Sequence, residues 1–341
     1  MDTWLDLNPI NLLGRVDSRI NKEKLVKDIA KHFRIGNVIS FRQIHEGFED
    51  YNIKLKTTKG VFLLKLFSQY KSFRHVKDNV LGLVEFEKAG VKVPKLYKNH
   101  KGEYLYYYEK EGVMALGCLM EYFKGRSYFK TGKEPELSEI TNIVGEIVKI
   151  NSVEFKPLGI YDTWVVQNLI VEYEKKKRFL SKRDLKLIKP IVKRIKSIDY
   201  SKCTKGTIHG DIQRSNILKS RSGNFRIIDF SVMEYHAVAI ELAIFLALFC
   251  IDPKKTKRSG LISVYKKVLS EYVKGKSLYA YDLEVLPDLM SGTYAINCLA
   301  ASYEKYGKKN DSEETQYWLD LGNEGMKQMK DVMKDLRKIR F

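Results

Sequence analysis

The sequence predicts an α+β protein of two lobes, a small antiparallel sheet-rich lobe up to about Phe123 and a larger, mainly helical lobe beyond it. Three observations lead there. Up to Phe123 the apolar runs are short and are separated by glycine-bearing turns, as strands require. Past Gly125 most apolar runs recur at helical spacing. One stretch, TIHGDIQRSNILKSRSGNFRIIDF at 207–230, breaks that helical run with short strand-like segments that bring polar side chains to one end of a hairpin. A chain of 341 residues with 44% hydrophobic and 30% charged residues has ample length for packed cores. We divide it into an N-terminal extension with the small lobe, 1–123, and the helical lobe, 124–341.

The elements follow in order. Asn21 caps a helix over 21–33 that sets Leu25, Ile29 and Phe33 on one face. Strands at 38–44, 51–56 and 61–67 are separated by Glu46-Gly47-Phe48-Glu49-Asp50 and by Thr58-Lys59-Gly60. A loop holding Gly47 lets backbone N–H groups approach phosphates, and Lys65 on the third strand can pair with them. An exposed hairpin turn would use the same residues, so the loop by itself leaves both readings open. A helix over 72–89 stops at Gly90-Val91-Lys92-Val93-Pro94. Strands at 95–98, 103–108 and 113–123 come next, the last closing on Met120-Glu121-Tyr122-Phe123. A strand that leads into a connector offers the backbone of Glu121 to Phe123 to an adenine edge, although a core strand ending in a turn reads the same. The remaining elements are helices with breaks at Pro287 and at Asn310-Asp311. The apolar run 237–251 contains Glu241 and falls short of the ~20 residues of a membrane span. It reads as a buried helix.

Lys and Arg exceed Asp and Glu by 61 to 42, a net charge of +19, which raises nucleic acid and membrane surfaces as partners. The excess is concentrated in 171–205. There Ile188, Ile191, Val192, Ile195 and Ile198 recur at helical spacing with Lys189, Lys193, Arg194 and Lys196 between them. No aromatic residues alternate with these charges for base stacking, so the segment reads as the solvated face of a core-packed helix and no nucleic-acid partner is expected. Cys118, Cys203, Cys250 and Cys298 are scattered, which suggests neither a disulfide framework nor a zinc site. The acidic start MDTWLDLNPINLLGR does not resemble a secretory signal. A cytoplasmic protein is expected.

The chemistry sits in His209-Gly210-Asp211 with Asn216 five residues after Asp211 and Asp229 eighteen after it. A carboxylate on such a loop can accept a substrate hydroxyl proton, while Asn216 and Asp229 can hold the Mg²⁺ that bridges ATP phosphates. His209 is read as structural, its ring bonding backbone to hold the loop. Arg214 has two readings, a cation for the transferring group or a substrate carboxylate, and an arginine facing solvent.

With these motifs assembled, residues from about Phe41 to Phe249 resemble the aminoglycoside phosphotransferase and choline kinase family, which has the protein kinase-like fold. The resemblance implies ATP and Mg²⁺ as cofactors and a small hydroxylated substrate. It makes Asp211 the catalytic base, Asn216 and Asp229 the metal ligands, and Lys65 the strand lysine on the phosphates. Glu121 and Tyr122 fall in the segment that receives adenine, and Glu241 stands where the family usually has an Asp bracing the catalytic loop. EGFEDYNIKLKTTKGVFLLKL, GVKVPKLYKNHKGEY and the Arg of DIQRSN look closest to homoserine kinases of this fold. The helix acid that pairs with the lysine would fall near Val80 or Leu81, which cannot pair. Asp78 is therefore expected to take that place ahead of Glu85. The resulting expectation is an ATP- and Mg²⁺-dependent phosphotransferase for homoserine or a similar amino alcohol, the alternatives being an aminoglycoside or choline-like substrate and a nucleotide-binding scaffold without turnover.

Overall fold

A computed structural model of the chain describes residues 19–44, 50–68, 71–110 and 113–339. It resolves into two compact units, 1–87 with 93–124 and 88–92 with 125–341.

The smaller unit begins with α1 (Lys22–His32), which Asn21 caps by accepting from the Lys24 N–H at 3.0 Å. Its apolar face buries Leu25, Val26 and Ile29. Then come β1 (Val38–Ile44), β2 (Tyr51–Thr57), β3 (Gly60–Leu66), α2 (Phe73–Lys88), β4 (Leu96–Tyr97), β5 (Leu105–Lys110) and β6 (Val113–Glu121). The strands form one antiparallel sheet in the order β1-β2-β3-β6-β4, with β5 also paired to β6. The short turn between β2 and β3 sets Thr57 opposite Gly60, and the register that follows places Asn52 opposite Lys65. One face of the sheet buries Ile53, Leu55, Leu64 and Leu119 against α1 in a single core. Helix α2 buries Val76, Val80 and Phe86, so position 80, where the family acid would fall, is a core position.

The larger unit contains β7 (Arg126–Ser127), α3 (Tyr128–Thr131), α4 (Leu137–Ser152), α5 (Leu169–Lys176), α6 (Lys182–Lys196) and β8 (Lys205–Ile208). It continues through β9 (Ile217–Lys219), β10 (Phe225–Ile227), β11 (Glu234–Ala237), α7 (Val238–Ile244), α8 (Arg258–Tyr272), α9 (Ala280–Ser302) and α10 (Glu313–Leu336). Helix α9 is its axis. Every residue from Val285 to Ser302 is buried, and α5, α6, α7 and α10 pack on it. Helix α10 approaches so closely that a Cβ on Gly325 would stand 2.2 Å from the Tyr294 ring.

Two readings of this region meet the structure differently. Pro287 was expected to break a helix and instead lies inside α9. An interior proline costs about 3 kcal/mol, and burial of nearly the whole helix surface offsets it. The basic segment behaves as expected: Ile188, Ile191, Val192 and Ile195 are buried, while Lys182, Lys186, Lys189, Lys193 and Lys196 face solvent. The run around Glu241 is a buried helix, α7 extended by a wider π-type turn over Phe245–Cys250. Among the described residues no helix is long and apolar enough to cross a membrane.

Candidate active site

In the larger unit the loop from His209 to Asn216 joins β8 to β9, and β9 pairs antiparallel with β10. Both ends of the loop are fixed by backbone bonding. β8 pairs with β11, and the Ile228 N–H donates to the Asn216 carbonyl at 2.9 Å. This last bond holds the residue before Asp229 against the end of the loop. Asp229 has φ 65°, one of three non-glycine residues with positive φ among those described. Such a backbone costs on the order of 1–3 kcal/mol and persists where surrounding structure dictates it, often at functional sites.

The inner end of the loop is held by His209 and Glu241. His209 is fully buried; its Nε2–H donates to the Ile228 carbonyl at 3.0 Å and its Nδ1 accepts from the Asp211 N–H at 3.1 Å, partners that assign the tautomer. Burial lowers its pKa to about 4, so the ring is a neutral clamp. Glu241 Oε2 accepts from the N–H groups of His209 and Gly210, while its buried Oε1 has no hydrogen-bond partner. Burial raises this carboxyl to about 7.

Glu241 therefore folds with a pKa above its unfolded value, so its contribution is fully present below about pH 4.5 and is lost as pH rises through about 7. His209, lowered by burial, contributes the opposite slope in the acid range. The difference between wild type and Glu241→Gln isolates the glutamate. We expect the variant to gain on wild type between pH 5 and 8 by on the order of 3 kcal/mol, measured as urea midpoints across that range. A constant difference over the range would remove Glu241 as a titrating group.

Gly210 has φ 81°, and a Cβ there would stand 2.8 Å from the Val232 carbonyl oxygen. Backbone cannot yield as a flexible side chain does. Gly210→Ala is expected to cost about 2–3 kcal/mol and to lower turnover with it, as read by thermal melting and an ADP-release assay.

The Asp211 carboxylate accepts from Gln213 Nε2 at 2.8 Å on Oδ1 and from Asn216 Nδ2 at 2.6 Å on Oδ2. The same Asn216 amide nitrogen donates to the Asp211 carbonyl at 3.0 Å. These donations orient the amide and leave Asn216 Oδ1 as its acceptor, which takes a hydrogen bond from Ser215 Oγ at 3.2 Å. Burial first, then the charges of Asp229 and Asp162, pushes the Asp211 carboxyl well above the usual carboxylate range, against the donations of Gln213 and Asn216. A cation would offset the charges of Asp229 and Asp162 that act on Asp211. Among the described residues no cluster of three His, Cys, Asp or Glu could hold a metal by itself. Mg²⁺ is commonly bound by one or two protein groups together with substrate phosphates, and Asn216 with Asp229 fits that donor set.

Arg214 is a correction. Its Nε donates to the Phe249 carbonyl at 3.0 Å, and its two terminal nitrogens reach both oxygens of Glu134 at 3.0 and 2.5 Å. A bidentate carboxylate uses the guanidinium fork, so the arginine binds β9's preceding loop to the π-type turn and to Glu134 instead of facing solvent.

In the smaller unit Lys65 is on β3, where its Nζ is 2.9 Å from Asp50 Oδ2. Asp50 reaches Lys65 from the first turn of the sheet, because position 50 lies diagonally across from Lys65 on the same face of β2 and β3, while Asp78 lies on α2. Gly47 lies outside the described residues. Glu121 ends β6, and its N–H donates to the Lys95 carbonyl at 2.8 Å. That donor is used within the smaller unit. Tyr122 follows, with Lys54 Nζ 4.4 Å above its ring.

Sequence reasoning missed Asp50, Asp162 and Glu134. The first had a signal: the tight turn between β2 and β3 implies the register that brings Asp50 to Lys65. The other two reach their partners from distant segments with no motif of their own.

Comparison with known proteins gives concordant results. Residues 40–272 match the model of the phosphotransferase enzyme family. A homoserine kinase of Rhodopseudomonas palustris (strain BisA53) is 21% identical over 270 residues, 76% of this chain and 78% of that protein. Among solved structures, an amicoumacin kinase in complex with AMP-PNP and Ca²⁺ aligns with TM-score 0.67 at 15% identity, over 92% of this chain and 94% of that one. Choline kinase from Streptococcus pneumoniae aligns with TM-score 0.57 at 15% identity, over 89% and 98%. A microcompartment-associated aminopropanol kinase aligns with TM-score 0.63 at 12% identity, over 92% and 98%. The shared architecture is the protein kinase-like fold.

Proposed function

The chain belongs to the phosphotransferase enzyme family, and from that premise we propose that it transfers the γ-phosphoryl group of ATP, with Mg²⁺, to the hydroxyl of a small amino alcohol. Asp211 is the base: held by Gln213 and Asn216, it orients the hydroxyl and takes its proton. Asn216 and Asp229 would hold Mg²⁺, which when bound neutralises charge on the phosphates. Lys65 holds phosphates and the backbone of Glu121 and Tyr122 receives adenine. Nucleotide and divalent metal in the amicoumacin kinase complex support this cofactor set. Four buried free cysteines suit the reducing cytoplasm we propose for it.

The observation that carries the substrate class is the carboxylate surroundings of Asp211. Although the chain is +19 overall, Asp162 and Asp229 act on the base itself, and surface charge elsewhere is screened beyond ~8 Å at physiological salt. Asp162 suits a substrate ammonium. Homoserine adds a carboxylate, which Arg214 would have to share with Glu134. The names of the homoserine and aminopropanol kinases support the same class. The Asp50 carboxylate beside Lys65 weighs against the scaffold alternative, which draws on the absence of an acid at positions 80 and 81.

ADP release with aminopropanol, homoserine, choline and kanamycin tests the proposal. An amino alcohol should give the highest rate. A kanamycin rate far above the others would overturn the substrate class, and Mg-AMP-PNP binding with no turnover on any acceptor would favour the scaffold.

A further inference from the structure

A second group of cations lies in the smaller unit, apart from Lys65. A cavity of about 450 Å³ opens between α1 and the turn that joins β2 to β3, and Lys27, Lys31, Arg34 and Lys59 line it together with Asn37. None of its lining residues is acidic, and among the described residues none of these four cations has a carboxylate within ion-pair distance. The walls are tied to one another. Thr58 and Asn37 exchange two hydrogen bonds at 3.0 Å, Thr57 Oγ1 donates to the Ile35 carbonyl at 2.6 Å, and Lys59 Nζ donates to the Arg34 carbonyl at 2.9 Å. Lys59 and Lys65 stand near opposite ends of β3, about 20 Å apart at a strand's rise of ~3.3 Å per residue, so one small ligand does not reach both.

Cations at a helix C-terminus complement its dipole, and that accounts for Lys31 and Arg34 alone. Lys27 lies a full turn earlier, and Lys59 comes from another segment. The backbone at Arg34 points the same way. Helix α1 closes with the Arg34 N–H donating to the Lys31 carbonyl at 3.1 Å and the Ile35 N–H to the Ala30 carbonyl at 3.0 Å, and Arg34 has φ 53°. Helices favour glycine or asparagine at this position because a longer side chain is strained there; here it brings a guanidinium to the cavity. We propose that the cavity is a binding site for a small molecule carrying two phosphate groups, separate from the nucleotide site. Each phosphate monoester brings a charge of about −1.5 to −2 near neutral pH, so two of them balance the four cations, while a dicarboxylate brings about half that charge. Guanidinium meets phosphate oxygens as a fork and ammonium meets them as a point charge. The volume falls in the range of ~300–1,000 Å³ usual for small-molecule sites.

The test is calorimetric titration of the full chain with fructose 1,6-bisphosphate at physiological salt. One equivalent should bind, saturating Mg-AMP-PNP should not displace it, and malate should bind about tenfold more weakly or worse. Lys27→Met/Lys31→Met, which removes two exposed side chains, should weaken binding about tenfold or more. Lys189→Met/Lys193→Met, an equal loss of charge on the solvated face of α6, should leave it within about twofold of wild type, because charges that far from a ligand are screened. Equal weakening by both pairs would mean general attraction to a basic protein and would overturn the proposal. So would the absence of saturable binding, wild-type affinity in Lys27→Met/Lys31→Met, displacement by the nucleotide, which puts the probe at Lys65, or malate binding as tightly. A DNA duplex bound more tightly than the bisphosphate, and lost in the same variant, would overturn it in favour of a polymer.

Discussion

Asp211→Asn is expected to lower turnover by about 10² to 10⁴ while the protein stays folded and still binds Mg-AMP-PNP. Both oxygens of Asp211 accept amide N–H groups, from Gln213 and Asn216. An asparagine must turn its own NH₂ toward one of them. Gln213 is only half-buried, so its amide can flip to present oxygen and the loop keeps its shape. Removing the negative charge also relieves the effect of Asp229 and Asp162 on this position. The expected signature is therefore a melting temperature equal to or above wild type together with a collapse of kcat. Turnover near wild type in a folded Asp211→Asn protein would take the proton acceptor elsewhere.

Asp229→Ala should have the second largest effect, a loss of Mg-AMP-PNP affinity of about a hundredfold or more, since it removes the only metal-site carboxylate we assign. Asn216→Ala should be milder. The positive φ at 229 makes alanine a strained replacement, so Asp229→Asn, which tolerates that backbone better, is the companion variant. Both should lose metal-dependent binding if the carboxylate matters, whereas a loss confined to alanine would point to backbone strain. Titrations with and without Mg²⁺ on both proteins distinguish the two causes, and equal Mg-AMP-PNP affinity in wild type and Asp229→Asn would remove Asp229 from the metal.

What was legible in the sequence was local. The spacing of Asp211, Asn216 and Asp229 could be interpreted because β9 and β10 form a hairpin, and a hairpin converts separation along the chain into proximity by a fixed rule. The same holds for the sheet of the smaller unit, where short apolar runs and glycine turns marked strands to within a few residues. Lys65 was legible as a candidate for that reason. Asp50 beside it was less legible, since its place follows only from the β2–β3 register.

The sequence by itself determined the α+β class, the strand runs, the buried helix around Glu241 and the loop that carries Asp211, since each follows from periodicity or from contacts within a few tens of residues. Tertiary structure alone decided that Pro287 could remain within α9, because the burial that offsets a proline comes from neighbouring helices. It decided that Arg214 would meet Glu134 and Phe249, that Asp162 would act on Asp211, and that Lys71 would share Asp50 with Lys65. Charge acts through space, and burial sets its strength. Neither quantity is written in the order of residues, so the partners of a charged group become known only once the chain has folded around it.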